Sequence, residues 1–105
     1  MLDETLMPRT LDAVVIALCA DYARRASAIE GREIPFNVTM EYRFLNYRII
    51  NAAMEIAGER DALAFVTEIG AKRGYTGSNL YLSESVYKTR KKEVKENIAK
   101  KLSLI

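Results

Sequence analysis

"MEYRFLNYRIINAAMEIAGERDALAFV", residues 40–66, is the stretch on which the architecture turns. Met40, Phe44, Tyr47, Ile50 and Met54 recur three or four residues apart, the spacing that lines one side of an α-helix. Ile49, Ala53 and Ala57 widen that stripe, and Gly58 interrupts it. Glu59 and Asp61 follow at once, and acidic residues suit the positive N-terminus of a new helix. The stretch therefore predicts helix, stop, helix. The first helix runs from Asn37 or Thr39 to Ala57, and the second from Glu59 to Arg73. The second buries Ala62, Val66 and Ile69 with Phe65 or Leu63, and carries Lys72 and Arg73 in its last turn before Gly74. Gly70 inside it costs about 1 kcal/mol relative to alanine. Phe44, Ile50, Val66 and Ile98 are the expected core.

On the N-terminal side, Leu11, Val14, Val15, Leu18, Tyr22 and Ile29 keep the same spacing and predict one helix over Thr10–Ile29. Gly31 is the expected left-handed residue at its end, and Pro35 disfavours helix at Ile34. On the C-terminal side, "GYTGSNLYL", residues 74–82, is turn chemistry. Ser83 or Ser85 then caps a fourth helix that reaches Leu102 and buries Tyr87, Val94, Ile98 and Leu102. The apolar slot between Tyr87 and Val94 holds Arg90 or Lys91, whose stems can be buried while the charge stays wet. No strand-like alternation is sustained. The expected fold is an all-α four-helix domain spanning 1–105, with residues 1–73 as a three-helix platform and 74–105 as a turn plus a helix-turn-helix-like basic helix.

The 105 residues suit one domain, and half are hydrophobic, a globular balance. No apolar run approaches the roughly 18–20 residues of a membrane span, and the acidic start MLDETLMPR does not read as a secretory signal. The one cysteine, Cys19, is expected as a small buried hydrophobe, and a cytoplasmic setting is expected. Charge is unevenly spread. Residues 1–71 hold seven Arg, no Lys and eleven acids, a net of −4; residues 72–105 hold nine Lys or Arg and three Glu, a net of +6. A basic third on an acidic body points to a polyanionic partner.

The fourth helix supplies the candidate site. Ser85, Lys88, Thr89 and Lys92, with Lys95 beside them, fall opposite Tyr87, Val94 and Ile98 on a helical wheel. Cations and hydroxyls there can bond phosphate oxygens, and some can reach base edges. Phosphate contacts are expected from Lys72, Arg73, Lys88, Arg90, Lys91, Lys92 and Lys95, and base contacts from Ser85, Lys88, Thr89 and Lys92. Tyr75 and Tyr81 are candidates equally for stacking on bases and for packing over the helix. Tyr42, Arg43, Tyr47 and Arg48 read as flanks of the core stripe rather than as a partner surface. The reading against DNA is that lysines solvate any exposed helix and that Lys92 with Glu96 is an ordinary pair one turn apart.

"GYTGSNLYLSESVYKTRKKEVKENIAKKLSLI", residues 74–105, resembles the end of small phage and prophage transcriptional regulators of the ArpU/RinA kind. The similarity lies in an LS-x-S-x-Y opening (Leu82, Ser83, Ser85, Tyr87), a Lys/Arg-rich helix and the closing IAKKLSLI. It covers about 30 residues. In that family the region is similar to sigma factor region 4, a helix-turn-helix, and the resemblance implies a recognition role for Ser85, Lys88, Thr89 and Lys92. The spacing departs from the pattern: a helix-turn-helix joins its helices by about three or four residues, and here either a single turn hides around Ser78–Tyr81 or the unit is irregular.

The chain has no histidine, which removes the commonest general base and metal ligand. Gly70, Gly74 and Gly77 do not have the spacing of a phosphate loop. No catalysis, cofactor or metal is expected. The expected function is DNA binding, as a phage or mobile-element transcriptional regulator. Double-stranded DNA is the partner, alongside a homo-oligomer or RNA polymerase, and no membrane. The alternative is a helical protein–protein interaction or assembly module without nucleic-acid binding.

Overall fold

In the computed structural model, residues 8–78 and 80–105 are described; the acidic residues 1–7 and Asn79, part of the expected turn at 78–81, lie outside them. Four α-helices follow in order: α1 (Arg9–Ala20), α2 (Tyr22–Gly31), α3 (Phe36–Gly70) and α4 (Glu84–Lys101), with a 3-10 turn at Tyr75–Gly77. There is no strand among the described residues, so the all-α expectation stands.

The long α3 is the spine, and α1, α2 and α4 all pack on it. It is two helical segments joined at Gly58, whose φ of 81° and ψ of 165° are not helical. Only glycine adopts that region without strain. The predicted stop therefore lies where Gly58 put it. The start is earlier than expected, with Pro35 as the N-cap and Phe36 as the first residue, since proline's fixed φ suits a helix entrance.

The single N-terminal helix expected over Thr10–Ile29 is broken at Asp21. The cause is tertiary. Arg25 is buried and its guanidinium donates to the Leu18 carbonyl at 2.6 Å and to Asn46 Oδ1 at 2.7 Å. Asn46 returns a bond to the Tyr22 carbonyl at 3.1 Å. Side chains from α2 and α3 thus bond carbonyls on both sides of the break. At the same place Gly70 packs against Ala20, where a built Cβ would lie 2.6 Å from the Ala20 backbone nitrogen. The glycine that weakened the helix by propensity is what lets the two backbones approach. The left-handed residue ending α2 is Arg32, not Gly31.

The core holds Val15 and Cys19 from α1, Ile49, Ala52, Ala53, Ala62, Phe65, Val66 and Ile69 from α3, and Tyr87, Val94, Ile98 and Ala99 from α4. Val66 and Ile98 are buried as expected, and Ile50 is half-buried. Phe44 is a correction: it is 64% exposed. The first half of α3 has two apolar sides. The one turned inward is Leu45, Ile49, Ala52, Ala53 and Ile56, small enough to let neighbouring helices close on it. The bulkier side, Met40, Phe44 and Tyr47, is left outside.

Candidate nucleic-acid interface

The end of α3 closes with the Arg73 amide donating to the Glu68 carbonyl and the Lys72 amide to the Ile69 carbonyl. Lys72 has φ 57° and occupies the left-handed position of this cap, a place usually taken by glycine. Lys72 and Arg73 therefore stand just past the helix rather than in its last turn, and both are exposed. Ser83 caps α4, its side chain accepting from the Val86 amide.

Beneath this corner lies a buried polar node. Tyr87 Oη donates to Glu68 Oε1 at 2.7 Å and lies 3.3 Å from the Arg73 carbonyl. Ser78 donates to Glu68 Oε2 at 3.3 Å. Burial and then the bond to Glu68 push the Tyr87 phenol above its ordinary pKa. The Tyr87 ring stacks on Phe65 at 5.7 Å and meets the edge of Tyr75 at 5.6 Å. Tyr75 is thereby assigned to packing, and Tyr81 is fully exposed.

The cations expected as a single outward face are divided. Lys91 fills the slot between Tyr87 and Val94: its ammonium lies 5.7 Å over the Tyr87 ring and donates to the Arg73 carbonyl. Burial, and then the neighbouring Lys95, lower its pKa. Lys95 pairs with Asp12 of α1 at 2.9 Å, and Lys88 with Glu84 at 2.6 Å. Arg9, Asp12 and Lys72 line one shallow cavity of about 500 Å³ between α1 and the end of α3. Arg9, Lys72, Arg73, Lys91 and Lys95 thus converge on one corner, with Lys88 one turn away. Arg9 was not singled out in sequence, because nothing local marks it; only the packing of α1 brings it there.

Ser85, Thr89 and Arg90 lie on a different side of α4, around a depression of about 300 Å³ shared with Val86 and Glu93. Lys92 is half-buried between the two groups. Six residues, 78–83, separate the 3-10 turn from α4, and thirteen, 71–83, separate α3 from α4, so the connector is longer than a regular helix-turn-helix turn. Three of the four residues of the LS-x-S-x-Y opening have structural work: Leu82 is packed against the core, Ser83 is the cap and Tyr87 is buried, while Ser85 is exposed. Among the described residues no helix is long and apolar enough to cross a membrane. Compared with protein-family models, curated proteins and solved structures, the chain matches none.

Proposed function

We propose that the chain binds duplex DNA through the corner formed by the end of α3, the first three turns of α4 and the start of α1, and acts as a transcriptional regulator of the phage or mobile-element kind. The observation that carries the reading is the convergence of Arg9, Lys72, Arg73, Lys91 and Lys95 from three separated segments, around the carboxylates of Asp12 and the buried Glu68. Cations gathered on one corner of an otherwise mildly acidic body raise the local concentration of a polyanion and position it. Arg73 and Lys72, held by the helix cap, provide the backbone contacts. Ser85 and Thr89, exposed on the first turns of α4, are the candidates for reading base edges. The resemblance of the motifs in residues 74–105 to those of ArpU/RinA-type regulators, which no family model matches, suggests the same reading and RNA polymerase as a further partner. No catalytic role is assigned.

A salt-titrated binding assay on generic duplex and single-stranded oligonucleotides tests this. Binding that weakens steeply with salt and prefers duplex supports it, and no duplex binding at about 50 mM salt ends it. A second reading, assembly through an apolar face, is favoured by the exposed stripe of Met40, Phe44 and Tyr47 on α3.

A further inference from the structure

We infer that two copies of this chain associate through the outward side of the first half of α3, antiparallel and about a two-fold axis that passes between Phe44 and Tyr47. This face is separate from the basic corner, and the inference does not depend on DNA binding. Phe36 is 79% exposed, Phe44 64% and Tyr47 67%, and Met40 is exposed between them. With Asn51 and the half-buried Met54 they form a seam at spacings of four, four, three, four and three, the pattern of a helix that packs along another helix. At ~200 Å² for an aromatic side chain, the three rings alone leave on the order of 400 Å² uncovered. That is within the size of the largest apolar patch on a typical soluble monomer, a patch that is often functional. A helix apolar on opposite sides is normally covered on both; among the described residues, the chain's own helices cover one.

The seam identifies its occupant by matching itself. In a two-fold contact, residue i of one copy meets residue j of the other, and j meets i, so paired numbers share one sum. Phe44 with the partner's Tyr47, Phe36 with the partner's Met54, and Glu41 with the partner's Arg48 all give sums of about 90. Apart from Met40 against the partner's Asn51, apolar residues meet apolar residues, and the charged pair closes the same flank twice. Glu41 and Arg48 stand two turns apart on one flank, beside a groove of about 420 Å³ floored by Leu45 and Leu102. Glu41 makes no hydrogen bond or ion pair within the described residues. Arg48 spends one guanidinium nitrogen on the Lys101 carbonyl at 2.8 Å, leaving its other donors for a carboxylate. In the dimer, Glu41 gains that partner, and the polar flanks add to the rings toward the ~800 Å² per chain of a standard interface.

Sedimentation equilibrium and light scattering on the full chain, up to ~100 µM, read the result. The expected mass is twice the 11.9 kDa of one chain. Phe44→Glu should return the monomer while the circular-dichroism spectrum and melting curve stay those of the parent, because the side chain is outside the fold. Glu41→Arg and Arg48→Glu should each weaken self-association by about tenfold or more through like-charge contacts made twice. Mixing these two variants should restore a heterodimer, since both charge pairs are then attractive. A parent that remains monomeric throughout overturns the inference. So does a dimer that Phe44→Glu leaves intact, or one in which the mixed charge variants associate no better than either alone.

Discussion

Tyr87 and Glu68, side chains 1% and 3% exposed on facing helices, are joined by a 2.7 Å hydrogen bond that ties α4 to the end of α3. The same phenol lies 3.3 Å from the Arg73 carbonyl, and Lys91 bonds that carbonyl too. The basic corner is thus built on a buried polar node. Tyr87→Phe keeps the ring stack on Phe65 but removes a donor from a buried carboxylate. It should destabilise the domain by about 1–3 kcal/mol, read by urea unfolding. An unchanged midpoint would mean that the pair is not formed.

Gly70 packs directly against the backbone of Ala20 beside the α1–α2 break. Gly70→Ala would set a methyl 2.6–2.8 Å from backbone atoms of Ala20 and Cys19, which no rotamer can relieve. A loss of about 1–3 kcal/mol is expected, despite alanine's higher helix propensity. Stabilisation on substitution would show that the crossing is looser.

Two substitutions on α3 separate its two sides. Ile49→Ala, in the core, should cost about 2–5 kcal/mol. Phe44→Ala, on the outward side, should change monomer stability by no more than about 0.5 kcal/mol, measured at a concentration below self-association. A large Phe44 effect in the monomer would place that ring inside the fold.

Cys19 should be inert. It is 3% exposed and burial pushes its thiol up to about 12, against the weaker opposite pull of Arg25 and Lys95. At pH 8 its reaction with a disulfide reagent should be far slower than that of the unfolded chain and should accelerate on adding denaturant. The linkage has a sign: the folded thiol binds its proton more tightly, so its contribution to stability is present below about 9, the unfolded value, and is lost as pH rises towards 12. Cys19→Ala should lessen the alkaline loss of stability across that window.

If the corner tracks a duplex, Lys72→Ala with Arg73→Ala should flatten the logarithmic salt dependence of binding by roughly one unit per lost phosphate contact. Thr89→Ala should then distinguish reading from positioning. Loss on one preferred sequence means base contact, and equal loss on every sequence means backbone contact.

Helix content, the stop at Gly58, the Ser83 cap and the burial of Val66, Ile98 and Cys19 were legible in residue order. They depend on neighbours within a turn or two: apolar spacing, a residue free to take positive φ, a hydroxyl before a helix. The basic character of the last third is likewise a count. What residue order left open is which side of an amphipathic helix faces in. Along residues 40–57 both the Met40–Phe44–Tyr47 side and the Leu45–Ile49–Ala52–Ala53 side are apolar. Periodicity ranks the bulkier one first, but close helix packing selects the smaller. The break at Asp21 depends on Arg25 reaching Asn46, twenty-one residues away, and the usefulness of Gly70 depends on Ala20 lying across it. Likewise, the division of the cations into paired and free depends on Asp12 and the Arg73 carbonyl, contributed by segments that only folding brings to α4. Local order therefore set the elements and their charge, while contacts distant in sequence decided which faces are buried and which are left exposed.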